Sequence, residues 1–196
     1  VQNKQSLEYK KILANIFTSQ KNYSEALTII EELLKQFPNE RDLWLQLKEC
    51  QTGLGQIADV EKTIIRLLGF RQDLGDLITE FGLIKMQQQK FAEARILFNK
   101  ATQTNPNSII AHLNLGIACI ELKQYDDARR SLSSANILDP SNQAVWIHLC
   151  RVATILSTPA KQSPDLQPCL RECVKLSTED PALLASLYDL LQNQGL

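Results

Sequence analysis

Residues 109–140 read IIAHLNLGIACIELKQYDDARRSLSSANILDP. Apolar residues recur near every 3.6 positions on both sides of a short polar turn, so the stretch predicts two helices of roughly 14 residues each. Gly116 and Ala128 fall where the two would cross, because close approach of two backbones leaves little room for side chains. Pro140 ends the second helix, since it has no N–H to continue the ladder.

Outward from this stretch the pattern returns in steps of 34 residues. Leu13, Leu47, Phe81, Leu115 and Leu149 share one phase; Tyr23, Ile57, Phe91 and Tyr125 share another, as do Ile30, Ile64, Phe98 and Leu132, and Leu33, Leu67, Ala101 and Ala135. The small residues Ala14, Gly82 and Gly116, with Ala26, Ala94 and Ala128, repeat the crossing point; Pro38, Pro106 and Pro140 repeat the stop, and Trp44 lies three periods before Trp146. A fixed period of this length denotes a stack of supersecondary units. Helix pairs are expected at about 7–37, 41–69, 75–104, 109–138 and 143–177, followed by a closing helix at 182–194 with Leu183, Leu184, Leu187, Leu190 and Leu191 on one side.

The residues Leu115-Gly116, Tyr125, Ala128, Ala135 and Pro140 make the chain resemble the tetratricopeptide repeat family, and the resemblance covers nearly its whole length. It implies an all-α fold, a right-handed superhelix of five pairs plus the closing helix in one domain, with repeats at about 7–40, 41–74, 75–108, 109–142 and 143–181. It also implies a scaffold rather than an enzyme, since the family's repeats serve to recognise many partners. The second pair departs from the pattern at Lys48, Val60 and Gln72, which predicts looser stacking or a distorted turn. The fifth has about seven extra residues, with Pro159, Pro164 and Pro168 between Ser157 and Pro168, and reads as an exposed loop.

Composition narrows the function. Twenty-one Lys and Arg against 22 Asp and Glu leave a net charge of −1, which provides no basic face for nucleic acid. No run approaches the roughly 20 apolar residues of a membrane helix. The five cysteines (Cys50, Cys119, Cys150, Cys169 and Cys173) lie inside helical patterns, an odd number that favours a reducing, cytoplasmic setting. The chain begins at Val1 rather than Met, so a piece of a longer protein or a processed form is expected.

No constellation of catalytic groups is apparent. His112 and His148 fall in different pairs without a carboxylate or Cys at catalytic or zinc spacing, and Cys169 with Cys173, four apart, lack a second pair of ligands. Neither a metal nor a cofactor is expected, nor a phosphate loop. Asn22-Tyr23-Ser24 is a formal glycosylation triplet placed in a turn.

In the family the first helices line the concave side. Projection at helical spacing then assigns Glu8, Lys11 and Asn15 to the groove from the first pair, and Asp42, Leu45, Glu49 and Thr52 from the second. From the third come Asp76, Thr79, Leu83 and Met86; from the fourth Ile110, Leu113, Ile117 and Ile120; from the fifth Ala144, Ile147, Arg151 and Thr154. The first helix of the fourth pair is apolar nearly all round, so something must cover each side of it. Either an amphipathic helix or extended apolar peptide of another protein does so, or curvature buries these residues between neighbours. A structural assembly subunit, using the same surface to dimerise or to pack in a larger complex, is the alternative to the scaffold. The family's capture of a C-terminal carboxylate matches only Lys11 and Asn15; Gln46 replaces an Asn, and Asp76 and Glu80 stand where cations are required.

Overall fold

The computed structural model describes residues 2–156, together with 171, 172 and 175. The closing helix at 182–194, the loop from Ser157 to Pro168, Cys169, Cys173 and the second helix of the fifth pair lie outside the described residues. Within them run nine helices: α1 (Gln2–Ser19), α2 (Tyr23–Gln36), α3 (Arg41–Gly53), α4 (Ile57–Leu68), α5 (Leu74–Gln87), α6 (Phe91–Thr104), α7 (Ile109–Glu121), α8 (Tyr125–Leu138) and α9 (Gln143–Leu156). The chain divides into two compact units between Leu77 and Ile78, inside α5.

One turn, used four times, cuts the period into pairs. Lys21, Gly55, Gln89 and Lys123, each 34 residues after the last, take left-handed φ angles of 59°, 71°, 59° and 59°. At each, the next residue's N–H reaches the carbonyl five residues back, as in Asn22 to Phe17 (2.8 Å) and Gln124 to Cys119 (2.8 Å), while the left-handed residue's own N–H reaches three back. These paired bonds satisfy carbonyls that a helix end would otherwise strand, and they send the second helix back along the first. Only one of the four positions is glycine, so at the other three a side chain is held in a conformation that costs about 1–2 kcal/mol.

Packing at the crossing points follows the small residues. Ala14 is fully buried, a Cβ on Gly82 would lie 2.5 Å from the Phe98 ring, and one on Gly116 would lie 2.6 Å from Cγ of Leu132. The second pair is built otherwise, with Lys48 half-buried at this phase. Gly53 at the end of α3 makes a close contact of another kind, with the preceding pair: an added Cβ would lie 2.2 Å from the Tyr23 ring at the start of α2. Cores form where each second helix meets the next first helix: Ala26, Ile30, Leu33 and Leu34 of α2 with Leu43, Leu47 and Cys50 of α3, and Ala128, Leu132 and Ala135 of α8 with Val145, Leu149 and Val152 of α9.

A second recurring device seals the ends of α2, α6 and α8. The indole Nε1 of Trp44 donates to the Pro38 carbonyl, and Trp146 to Pro140, each at 2.8 Å. His112 occupies the same phase, and its Nε2 lies 2.9 Å from the Pro106 carbonyl. Since a carbonyl only accepts, this nitrogen carries the proton. The intervening repeat has Ile78 and Gln72 instead, and there α4 is followed by Arg71 and Asp73 at φ 57° and 50°, with Asp73 paired to Arg41. The expected distortion of that turn is therefore present.

Gly116→Leu should overpack the α7–α8 crossing and lower stability by about 1–3 kcal/mol. Gly55→Ala meets no atom within 4 Å, so its cost should come from the backbone alone, about 1–2 kcal/mol. Denaturant unfolding checks both, and an unaltered midpoint for Gly116→Leu contradicts the register.

Candidate functional site

The residues expected to face a partner belong to both units. In the first, Lys11, Asn15, Leu45 and Glu49 share a face by phase, but two already have partners. Nζ of Lys11 donates to Oε1 of Glu40 at 2.6 Å and stands 5.8 Å over the Phe37 ring. The hydrogen bond to Glu40 holds the Lys11 ammonium above its ordinary pKa against the opposing cost of burial, with the charges of Glu40, Glu8 and Asp42 adding to it. Oδ1 of Asn15 accepts from Nε2 of Gln46 at 2.7 Å. The two side chains that match the carboxylate-capturing pattern are thus engaged within the chain. Leu45 is half-buried and Glu49 exposed.

In the second unit the expected apolar set separates by depth. Thr79 and Ile120 are buried, at 7% and 4% exposure, and are corrected here to packing residues: Ile120 belongs to the α7–α8–α9 core. Leu113 and Ile147 are half-buried against that core, and Met86 packs beside Ala94, Phe98 and Ala118. What stays open is Ile110 at 60%, Leu83 at 37%, and the half-buried Ile117. Leu83 and Ile117 share one phase of the repeat. Arg151, next in that phase on α9, is half-buried and lies 3.9 Å from Glu121, too long to be a strong pair.

This arrangement comes from the sequence of α7. Ser108 caps its N-terminus, accepting from Ala111 N at 3.3 Å, and no charged side chain follows until Glu121. Gly116 turns one side to α8 and Ala118 turns another to α6, while Ile110 and Ile117, seven residues apart, share a third side on which Ile110 is 60% exposed. Curvature buries part of the apolar run, through Ile120, and leaves part of it open.

Chemically the face is quiet. His148 sits on α9 with Nδ1 buried and without a hydrogen-bond partner. Burial, reinforced by Arg151 and partly opposed by Glu121, holds its pKa below the ordinary 6.5, so the imidazole is neutral near pH 7. Burial likewise pushes the Cys50 and Cys119 thiols up, which makes them poor nucleophiles. Among the described residues, no group of three or more His, Cys, Asp and Glu could hold a metal ion, and no helix is long and apolar enough to cross a membrane. Sequence reasoning missed Lys85, buried at 6%, 3.3 Å from Glu93 and 5.0 Å over the Phe81 ring. It also missed the role of His112, although a ring N–H six residues after each Pro was the available signal.

Comparison with known proteins places this geometry. The family model for the tetratricopeptide repeat matches residues 17–76 and 85–151. Human cilia- and flagella-associated protein 70 is 24% identical over 193 residues, 97% of this chain but 17% of that protein, so the chain spans about a sixth of the relative's length. Among solved structures, MamA of AMB-1 aligns with a TM-score of 0.74 at 21% identity, covering 93% of this chain and 97% of MamA. YrrB, described as a tetratricopeptide repeat protein with an unusual peptide-binding site, aligns at 0.73 and 13% identity, covering 89% and 88%.

His148 makes stability pH-dependent in a defined direction. The unfolded chain binds the proton more readily than the folded one, so stability is full above the unfolded value of 6.5 and falls as pH drops below it toward the depressed folded pKa. Chemical denaturation from about pH 7.5 to about pH 5.5 should show this loss, and His148→Gln should reduce the slope; an identical slope would assign it to other groups.

Proposed function

We propose, since the chain belongs to the tetratricopeptide repeat family, that it holds a segment of another protein against the open side of α7. The observation that carries this is Ile110, 60% exposed on a helix apolar nearly all round, with Ile117 about two turns along the same side. Leu83 extends the surface, and Leu113 and Ile147 form its floor. Exposed apolar side chains grouped on one side of a helix are costly to leave in water and mark an interaction surface. The ligand that fits is an amphipathic helix or extended apolar segment with anchors at helical spacing. A carboxylate tail is disfavoured, because Lys11 and Asn15 are already paired.

YrrB supports the reading in kind, as a protein of the same fold with a peptide-binding site. No catalytic role is proposed: burial pushes the Cys50 and Cys119 thiols up, which keeps them protonated near pH 7, and the imidazole of His112 is bound to a backbone carbonyl. The Cys50 and Cys119 thiols are free and buried, which suits a reducing, cytoplasmic setting.

Ile110→Asp with Ile117→Asp tests the site better than substitution of Leu113, which also packs against the core. The double variant should keep its helical circular dichroism and melting temperature while losing at least tenfold in affinity for the partner, a change of about 1.4 kcal/mol or more. Unaltered affinity would move the site elsewhere. A wild-type mass that rises with concentration in light scattering, and does not rise for the variant, would favour self-association through the same side chains.

A further inference from the structure

The α6 and α8 helices both pack against α7, and between them lies a cleft of about 320 Å³. Arg95 and Ile96 line it from α6, Asp127 and Arg130 from α8, and Leu115 with the buried Cys119 from α7. None of these residues belongs to the open side of α7, and helices precede and follow the cleft in sequence, so it lies within the repeat array. Small-molecule sites usually measure roughly 300–1,000 Å³, so this one admits a side chain or two of a partner.

Three charged groups meet in the cleft, and they do not cancel. Arg130 pairs with Asp127 on its own helix, in an exposed pair that water screens and an incoming anion can share. Arg95 forms no ion pair among the described residues, and its Nε is buried without a hydrogen-bond partner. A buried donor costs free energy while it goes unused. The charges of Arg95 and Arg130 both reach the Cys119 sulfur, where they oppose the stronger effect of burial and that of Asp127 on the thiol. Two guanidinium groups and one carboxylate leave a single positive charge.

The repeat itself does not require this arrangement. Two periods earlier, the positions of Arg95, Ile96 and Cys119 hold Leu27, Thr28 and Gln51, while Asp59 and Lys62 repeat the pair of Asp127 and Arg130. There Leu27 packs against the core, and Thr63 donates to Oε1 of Gln51 at 2.7 Å, so the polar groups are satisfied within the chain. At the phase of Thr63, Ser131 turns instead to the Asp127 carbonyl at 3.0 Å. The later cleft therefore holds an unsatisfied guanidinium beside Ile96, which is 63% exposed.

We propose that this cleft binds a side-chain carboxylate of a partner polypeptide, an Asp or Glu flanked by apolar residues, with Arg95 donating to it and Arg130 shared between it and Asp127. One carboxylate balances the single excess charge, whereas a phosphate group, carrying about −1.5 to −2, would exceed it and would also meet Asp127. The edge of a guanidinium matches a carboxylate through paired N–H donors. Ile96 and Leu115 supply the apolar wall for the flanking residues.

The test uses the 196-residue chain, ¹⁵N-labelled, so that the Arg95 Nε–H is itself observed. It is titrated with acetyl-Leu-Glu-Leu-amide, whose one charge is the carboxylate, with the Gln counterpart of that peptide, and with inorganic phosphate. The Glu peptide should give saturable shifts of the Arg95 Nε–H and of the Ile96 and Arg130 amides, and should bind at least tenfold more tightly than the Gln peptide. Arg95→Gln should abolish that difference with the melting temperature unaltered; if the variant is less stable, the Arg95 signal of the unsubstituted chain still decides. The proposal is overturned if the two peptides bind alike, if phosphate binds more tightly than the Glu peptide, or if the Arg95 signal does not respond, as when another part of the chain already fills the cleft. It is also overturned if light scattering shows a concentration-dependent dimer that Arg95→Gln abolishes, since the occupant is then a second copy.

Discussion

A first helix in this chain has more apolar sides than its own pair can cover, and much of the architecture follows from that imbalance. In α7, one side closes on α8 because Gly116 admits Leu132, and a second meets α6 through Ala118, Ala94 and Phe98. Neither contact would form if the two second helices did not arrive from opposite sides, which the repeated left-handed turn at Lys21, Gly55, Gln89 and Lys123 ensures within each pair. The third side remains, and Ile110 and Ile117 lie on it. Binding in such a fold is the completion of packing that the chain begins.

Polar groups are arranged to keep that packing in place rather than to react. The carbonyls after α2, α6 and α8 are claimed by a ring N–H from the following helix, Trp44, His112 and Trp146 respectively, so these rings act as structural seals. Arg66 of α4 adds a second donor to the Pro38 carbonyl and one to Asn39 while resting 5.7 Å from both the Trp44 and Phe70 rings. A guanidinium can serve two carbonyl-type oxygens and two rings at once, because its plane donates at the edge and stacks at the face. Surface ion pairs such as Lys10 with Glu32 add little to this, being exposed to water.

The first four helix pairs and the first helix of the fifth, their limits mostly within a residue or two, the small residues at the crossings and the irregular second turn were legible in the sequence, because each is set by local spacing and repeats at a fixed phase. One boundary was not: the α1 helix begins at Gln2 rather than near residue 7, and nothing local marks the difference except Lys4 in place of a Pro. Nor was the close contact of Gly53 with Tyr23, which joins α3 to α2 across 30 residues of sequence.

By itself, then, the sequence determined the repeat and the family, since period and residue volume are properties of the chain alone. Only the tertiary structure decided which apolar residues of a first helix face water. Ile110 and Ile120 look equivalent on a helical projection, but one is 60% exposed and the other 4%, and Tyr9 differs from Leu43 in the same way. Exposure depends on the helices that arrive from other pairs, and Lys11 and Asn15 illustrate the polar counterpart: their availability was settled by Glu40 and Gln46, 29 and 31 residues away. Spacing along a helix assigns a residue to a side, and the neighbours assign that side to the core or to a partner.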